Sequence, residues 1–299
     1  MILALLACGA ELSNEVFLED ADFLAALPSR EVLVVGYPGS PGCEAVDDDD
    51  ASLYALSLCA MEGTDDLLAL VAATTEVVRN VAPTERDTDY RRWGPGAWDL
   101  VPGAYLTAEM TRSSTGAYYT WTFSVAEDEA GPWEVLLDGH HYGGAVEVAA
   151  GRGAFSWDVE QQYRFDDQPG VGLVTVSYDR TADLELLLEA EEVAIGVGAS
   201  PASADWWYTA TDEGDGAFEY QSADSFGAGV VATVRTRFDV DGAGRGDAVV
   251  NGGAEVNYVQ CWGGDGALAW QWDAWGASEE VGSEGACAFD DAEQASHLP

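Results

Sequence analysis

Residues 119–125 read Tyr-Thr-Trp-Thr-Phe-Ser-Val and give the clearest indication of the fold. Large apolar side chains alternate there with small hydroxyl side chains, and a period of two is typical of a strand with one buried face. The period recurs from about residue 103 to residue 276, at residues 155–159, 174–178, 230–238, 256–258 and 270–272. Glycine-rich turn signals separate these segments and predict hairpins.

These segments predict a mainly β protein with a short α-helical N-terminal part. About ten or more strands joined by hairpins indicate a curved antiparallel up-and-down meander, open or barrel-like, because strands twist and a long sheet curls. Residues 64–81 carry an apolar stripe at helical spacing, with Thr64 as a candidate N-cap and Pro83 beyond the end. We expect this one amphipathic helix to pack on the sheet.

Four segments describe the predicted domain organisation. Residues 1–8 are a lipoprotein signal segment, and residues 9–30 are a tether and a short helix. Residues 31–290 form a single domain that begins with a strand at Val32–Val35 and a loop at residues 43–59, followed by helix 64–81 and the β meander at about 103–276. Residues 291–299 are a flexible tail.

The charge excludes several classes of function. The chain has 12 Lys+Arg residues, all of them arginine, against 54 Asp+Glu, which gives a formal net charge of −42. Such a surface repels nucleic acid and anionic lipid head groups, and it favours solubility or the attraction of cations. Without lysine, the chain has neither Schiff-base chemistry nor a phosphate-loop lysine.

The N-terminus predicts a lipid anchor. An apolar run ends in Leu5-Leu6-Ala7-Cys8, which resembles a bacterial lipobox, in which the cysteine is acylated and becomes the new N-terminus. The protein would then lie on the bacterial outer membrane or cell surface, with the membrane as a partner through its N-terminal lipid. A buried N-terminal strand with an ordinary core cysteine is the alternative.

The cysteine count agrees with lipidation at Cys8. The other four cysteines, Cys43, Cys59, Cys261 and Cys287, allow three pairings. The local pairing, Cys43 with Cys59 and Cys261 with Cys287, closes two short loops, each stabilising by roughly 3 kcal/mol. Disulfides imply an oxidising compartment. Four buried thiols or a metal site are the alternatives, although zinc-type CxxC spacing is absent from the sequence.

Several motifs together resemble predicted lipoproteins of uncharacterised function from myxobacteria and their relatives. The motifs are Arg92-Trp-Gly-Pro95 after a helix, Asp241-Gly-Ala-Gly-Arg-Gly-Asp247, Val259-Gln-Cys-Trp262 and Gly285-Ala-Cys-Ala-Phe289. The resemblance covers both ends of the chain and implies no activity. It implies lipidation at Cys8 and a disulfide between Cys261 and Cys287.

Few residues suggest catalysis or metal binding. His140 and His141 are adjacent on a predicted strand and point to opposite faces, and the sequence has neither a nucleophile elbow nor an HExxH motif. Asp239, Asp241 and Asp247 surround a glycine-rich turn and are weak candidates for Ca²⁺; otherwise we expect no cofactor.

Tryptophan supplies the best candidate for ligand binding. Trp206 and Trp207 are adjacent, so one of them must face outward if both lie on one strand, and a solvent-facing tryptophan can bind a sugar or an apolar ligand. The sequence favours a non-enzymatic envelope lipoprotein that holds an apolar or amphiphilic small molecule on its curved sheet. A cell-surface adhesion or structural lipoprotein that binds a surface glycan is the alternative, and a glycan-acting hydrolase is a third option.

Overall fold

The computed structural model describes residues 14–39, 42–45, 51–98, 100–143, 151–165, 169–223, 230–251, 255–274 and 281–290. The lipobox, most of the tether, the acidic run at residues 47–50 and the tail at residues 291–299 lie outside these ranges. The helices are α1 (Asn14–Ala25), α2 (Arg30–Leu33), α3 (Ser52–Arg79) and α4 (Val159–Tyr163), with short 3-10 turns at Cys43–Ala45 and Glu284–Ala286. Within the described residues, no helix is both long enough and apolar enough to cross a bilayer.

One antiparallel sheet forms most of the molecule. Its strands are β1 (Glu85–Asp87), β2 (Tyr90–Ala97), β3 (Tyr105–Arg112), β4 (Tyr118–Ala126), β5 (Glu134–Tyr142), β6 (Arg152–Asp158), β7 (Gly170–Asp179), β8 (Leu184–Ile195), β9 (Ala202–Ala210), β10 (Gly216–Ala223), β11 (Val231–Phe238), β12 (Gly244–Asn251), β13 (Glu255–Trp262), β14 (Leu268–Asp273) and β15 (Val281–Gly282). Each strand pairs with its neighbours in sequence, and in the described chain the two edge strands, β1 and β15, do not pair with each other. The predicted meander is therefore confirmed, and its sheet is open.

Alternation along the strands gives the sheet two different faces. The inner face packs on the helices and carries the core, for example Trp121, Phe155, Val176, Leu188 and Val234. Register places all five in one row, because residues that pair directly across strands lie on the same face; Gly139 connects Trp121 to Phe155, and Trp206 and Tyr220 connect Leu188 to Val234. The other face, here called the outer face, carries the intervening polar positions.

The helices cover the inner face from two directions. From α1, Phe23 meets Tyr119 of β4 edge to face, with ring centroids 5.6 Å apart. At the other end of the sheet, α3 is held by Gln260 of β13, whose side-chain carbonyl accepts from the Leu53 amide at 2.8 Å. The predicted packing of an amphipathic helix on the sheet is thus confirmed.

Helix α3 is longer at its N-terminus than the predicted helix 64–81, because it begins at Ser52. Leu53 and Leu58 extend its buried stripe back into the predicted loop 43–59. Thr64 is therefore not an N-cap, and its hydroxyl instead donates to the Ala60 carbonyl one turn earlier at 2.7 Å. The sequence predicts a loop here, closed by a disulfide between Cys43 and Cys59, and that expectation assigns the first part of the helix to the loop.

Two further sequence predictions are wrong. Val32–Val35 is not a strand, since α2 occupies Arg30–Leu33 and only the next residues are extended. The meander begins at Glu85 and not at about 103. Strand β2 lacks a readable period of two because an arginine, Arg91, occupies one of its buried positions, and a register shift follows Trp93.

Candidate ligand cavity

A cavity lies between α3 and the inner face, beside the part of the sheet formed by β9 and β10. Its volume is about 520 Å³. The lining consists of Leu56, Cys59, Ala60, Gly63, Thr64 and Leu67 from α3, Trp206 from β9 and Tyr220 from β10. Ligand pockets in proteins are typically about 300–1,000 Å³, so this space can hold a small molecule.

Small residues on α3 leave the space open. Ala60 and Gly63 stand between Leu56 and Leu67 on the cavity side of the helix, and a Cβ added at Gly63 would meet nothing within 4 Å. Side chains three or four residues apart line one side of a helix. Short side chains at two central positions therefore keep the helix from filling the space.

Two aromatic side chains form the opposite wall. Trp206 and Tyr220 are direct cross-strand partners, and their ring centroids lie 5.6 Å apart with the planes tilted by 40°. Both are partly buried and pack against the main core. The wall is thus a rigid aromatic surface, which binds apolar groups with little loss of conformational freedom.

The lining carries no charged side chain. The Thr64 hydroxyl donates its hydrogen bond to the Ala60 carbonyl, and the sulfur of Cys59 is in a disulfide. Tyr220 brings a phenol hydroxyl to the lining, and a phenol can donate one hydrogen bond. It can therefore donate to one polar atom of a ligand that is otherwise apolar.

The segment before α3 forms hydrogen bonds and an ion pair with two acidic residues of the helix that lie near the cavity. Glu62 accepts a hydrogen bond of 2.6 Å from the Cys43 amide, and Asp65 forms an ion pair with Arg30 and accepts from the Val35 amide at 3.1 Å. Together with the disulfide from Cys43 to Cys59, these contacts hold Arg30, Val35 and Cys43 against α3 near the cavity. The carboxylates disfavour an anionic ligand.

The structure places the two candidate tryptophans on opposite faces of β9. Trp206 lines the cavity on the inner face. Trp207 is on the outer face, where it packs with Ala217 and Leu187 and donates from its ring nitrogen to Glu185 at 2.9 Å. Although Trp207 faces outward, only 6% of its surface is exposed, so it offers no open aromatic platform.

Sequence reasoning missed Tyr220, Ala60 and Gly63. Their positions in the sequence are ordinary, and what makes them a site is the placement of α3 over β9 and β10. The one available signal is the pair of small residues, which interrupts an otherwise bulky face of α3.

Both local disulfides are present. Cys43 and Cys59 have Cα atoms 4.8 Å apart, and Cys261 and Cys287 have Cα atoms 5.5 Å apart. Both separations are usual for a disulfide. The second bridge holds the segment Glu284–Asp290 near Arg245 of β12, which pairs with Glu284 at 3.3 Å. Lipidation of Cys8 remains a prediction.

The weak Ca²⁺ candidates serve the hairpin between β11 and β12. The Asp239 carboxylate accepts from the amides of Asp241 and Ala243, each at 3.0 Å, and Asp247 lies 3.5 Å from the Arg245 guanidinium. Across the described part of the chain, no three His, Cys, Asp or Glu side chains come together as a metal site. The glycine-rich stretch is a hairpin turn, as predicted.

The two adjacent histidines also lie on opposite faces. His141 is on the inner face, 3.0 Å from the Tyr178 hydroxyl, and burial lowers the pKa of its imidazole. His140 is on the outer face beside Tyr118 and Tyr142. They cannot act on one ligand together.

Comparison with models of known families, with curated proteins and with solved structures finds no match in any of the three. The resemblance to myxobacterial lipoproteins therefore stays a prediction.

Proposed function

We propose that this chain is an exported, lipid-anchored envelope protein that binds a small apolar or amphiphilic molecule in the cavity between α3 and strands β9 and β10. The observation that carries the proposal is the uncharged lining of that cavity, with aliphatic groups on one side and an aromatic wall on the other. Burial of apolar ligand surface would supply most of the binding free energy, at roughly 25 cal/mol per Å². The Tyr220 hydroxyl would orient the polar end of the ligand.

The chemistry of the lining favours binding over catalysis. A hydrolytic site needs a nucleophile or a pair of carboxylates, with a group that accepts or donates a proton. The cavity lining has an aromatic phenol, a hydroxyl bonded to its own helix and a sulfur in a disulfide. These residues can hold a ligand without changing it.

Two features support export and anchoring. The two disulfides fit an oxidising compartment outside the cytoplasm. The sequence before Cys8 resembles a lipobox, and the acidic surface is repelled by anionic head groups, so an acyl chain would provide the attachment. We place the protein on the bacterial outer membrane or cell surface.

Filling the cavity tests the binding function. The probe is N-phenyl-1-naphthylamine, an uncharged apolar dye whose fluorescence rises on leaving water. We expect saturable binding to the wild type and a loss of at least roughly tenfold in affinity for Ala60→Phe, because the new ring occupies the ligand's space. Mass spectrometry of the natively purified protein should show a co-purified apolar molecule that is depleted in the same variant.

The matched control is Ala73→Phe, which places the same ring on the same helix outside the cavity lining. Its affinity should equal that of the wild type. Equal dye binding by all three proteins would show that the cavity is not the site, and absence of saturable binding to the wild type would refute the ligand-binding function.

The anchor is tested separately by Cys8→Ser. We expect the variant to leave the membrane fraction on cell fractionation, while the folded domain keeps its thermal unfolding midpoint. Undiminished membrane association would refute lipidation at Cys8 without bearing on the cavity.

A further inference from the structure

A row of polar and aromatic side chains crosses five strands of the outer face, on the opposite side of the sheet from the cavity. Register makes its members consecutive cross-strand neighbours: Tyr118, Tyr142, Arg152, Asp179 and Glu185 on β4 to β8. Four strand spacings of about 4.8 Å give the row a length of roughly 19 Å. It is thus a continuous track across the sheet.

The track borders a groove of about 480 Å³. Its second side is formed by the adjacent row, in which His140 is followed by Ala154, Ser177 and Leu187. Ala154 and Ser177, in the middle of this row, have small side chains, so the groove is deeper between its aromatic end and its acidic end.

Three rings cluster at one end of the groove. Tyr118 and Tyr142 have centroids 4.6 Å apart, and His140 lies 5.4 Å from Tyr142 and 5.9 Å from Tyr118. Tyr142 is 44% exposed, which is high for a large ring within a sheet. The Arg152 guanidinium stands 5.7 Å from the Tyr142 centroid and braces that ring from the next strand.

The carboxylates at the other end are held in place by donors. Asp179 accepts from the hydroxyl of Thr181 at 2.7 Å and from its amide at 2.8 Å, and these bonds, the hydroxyl's first, lower the pKa of its carboxyl group. Glu185 accepts from the Trp207 ring nitrogen at 2.9 Å. Each carboxylate keeps further acceptor capacity because an ionised carboxylate offers about four lone-pair sites.

We propose that this groove binds a neutral, extended oligosaccharide. The apolar face of a sugar ring packs on an exposed aromatic ring such as Tyr142, and its hydroxyls donate to fixed carboxylates and accept from a guanidinium. Along a track several sugar units long, the groove presents the aromatic rings first, then the Arg152 guanidinium, then the two carboxylates. Two carboxylates to one guanidinium, in a chain of net charge −42, exclude an anionic glycan.

Isothermal titration calorimetry of the full-length protein with cellotetraose, and separately with tetra-N-acetylchitotetraose, tests the proposal. Both probes are neutral and extended. We expect saturable binding of at least one, weakened roughly tenfold or more by Tyr142→Ala, because the stacking surface is lost. Tyr142→Phe should retain binding, since it keeps the ring face.

Arg152→Ala is a second variant at an exposed position, so the test does not depend on the folding of Tyr142→Ala. Tyr105→Ala removes a partly buried tyrosine at the far end of β3 and serves as the matched control, with affinity equal to that of the wild type. Ala60→Phe should also bind the sugar normally, which separates this groove from the cavity.

Two outcomes would overturn the proposal. One is the absence of saturable heat with either sugar at millimolar concentration. The other is wild-type affinity in both Tyr142→Ala and Arg152→Ala, which would place any sugar binding elsewhere. Neither outcome affects the proposed binding of an apolar ligand.

Discussion

Arg91 is a charged side chain at a position of β2 where the sheet buries its neighbours. Its side chain is 1% exposed. The guanidinium lies 4.6 Å from the centroid of Phe23 and pairs with Asp20 at 2.6 Å and Glu19 at 3.1 Å, so α1 is joined to the sheet by a buried ion pair. The sequence could not reveal this role, because an arginine in a strand pattern reads as a solvent position.

Removing one partner of this pair should cost much of the stability. We expect Asp20→Asn to lower the free energy of unfolding by about 3 kcal/mol, because it leaves the Arg91 charge buried with less compensation. Urea titration followed by circular dichroism measures the change.

The exposed pair between Arg92 and Glu85, at 3.4 Å, supplies the control. Glu85→Gln should change stability by less than about 1 kcal/mol, as surface pairs generally do. Equal effects of the two substitutions would mean that burial does not set the strength of the Asp20 pair.

A pair of like charges on the outer face makes stability depend on pH. Glu189 and Asp205 are direct cross-strand partners, and burial, then the charge of Glu189, raises the pKa of Asp205. A raised carboxyl pKa means that the ionised form is penalised in the folded state. The penalty is present at neutral pH and disappears as falling pH protonates both carboxyls.

Glu189→Gln should therefore stabilise the protein at pH 7, by about 0.2–1 kcal/mol, because like charges directly opposite each other in a sheet repel. The gain should shrink as pH falls through the raised pKa of Asp205 and vanish once both groups are protonated. Urea midpoints of the two proteins from pH 7 to pH 3 give the comparison. A gain that grows on acidification would contradict the assigned repulsion.

At the scale of elements, large aromatic residues on one strand of the inner face lie directly opposite glycines on the neighbouring strand. Trp121 pairs directly with Gly139, Tyr178 with Gly153, and Trp262 with Gly244. In each pair, a Cβ on the glycine would come within 3 Å of the aromatic ring. The rings thus lie flat over neighbouring strands, which lets one layer of aromatic side chains fit beneath the helices.

Gly139→Ala tests this packing. The new Cβ would lie 2.7 Å from the Ala154 carbonyl oxygen and would also meet the Trp121 ring. We expect a loss of about 1–3 kcal/mol in the free energy of unfolding, which is typical of overpacking. Urea titration with tryptophan fluorescence would report both the stability and the environment of Trp121.

Gly96→Ala on β2 is the matched control, since nothing lies within 4 Å of its added Cβ. There the alanine should be neutral or stabilise by a few tenths of a kcal/mol to about 1 kcal/mol, by restricting the unfolded chain. A loss at Gly96 as large as that at Gly139 would attribute the effect to strand glycines in general and not to the ring.

At the scale of the whole molecule, the sequence predicts the order of the strands but not the position of the site. Alternation with short turns makes successive strands antiparallel neighbours, and this local rule alone yields the meander. The cavity depends on where α3 lies, and that is decided by contacts such as the Leu53 amide with Gln260, 207 residues apart in sequence. No local pattern contains such information.

The net charge predicts how added salt changes the stability of the whole molecule, and the direction of that change can be measured. Most of the arginines pair with carboxylates, and salt weakens exposed pairs. The remaining negative charges repel one another in the folded state, and salt relieves that repulsion. With a net charge of −42, we expect repulsion to dominate, because the unpaired carboxylates far outnumber the 12 basic residues.

The urea midpoint at pH 7 should therefore rise as NaCl increases from about 0.01 M to about 1 M, where the Debye length falls from roughly 30 Å to roughly 3 Å. Near the isoelectric point of about 4.1, the same salt step should have little effect, because the net charge has vanished. That comparison also controls for salt effects unrelated to charge. A midpoint that falls with NaCl at pH 7 would mean that the arginine pairs outweigh the surplus of carboxylates, and that the acidic surface does not destabilise the folded sheet.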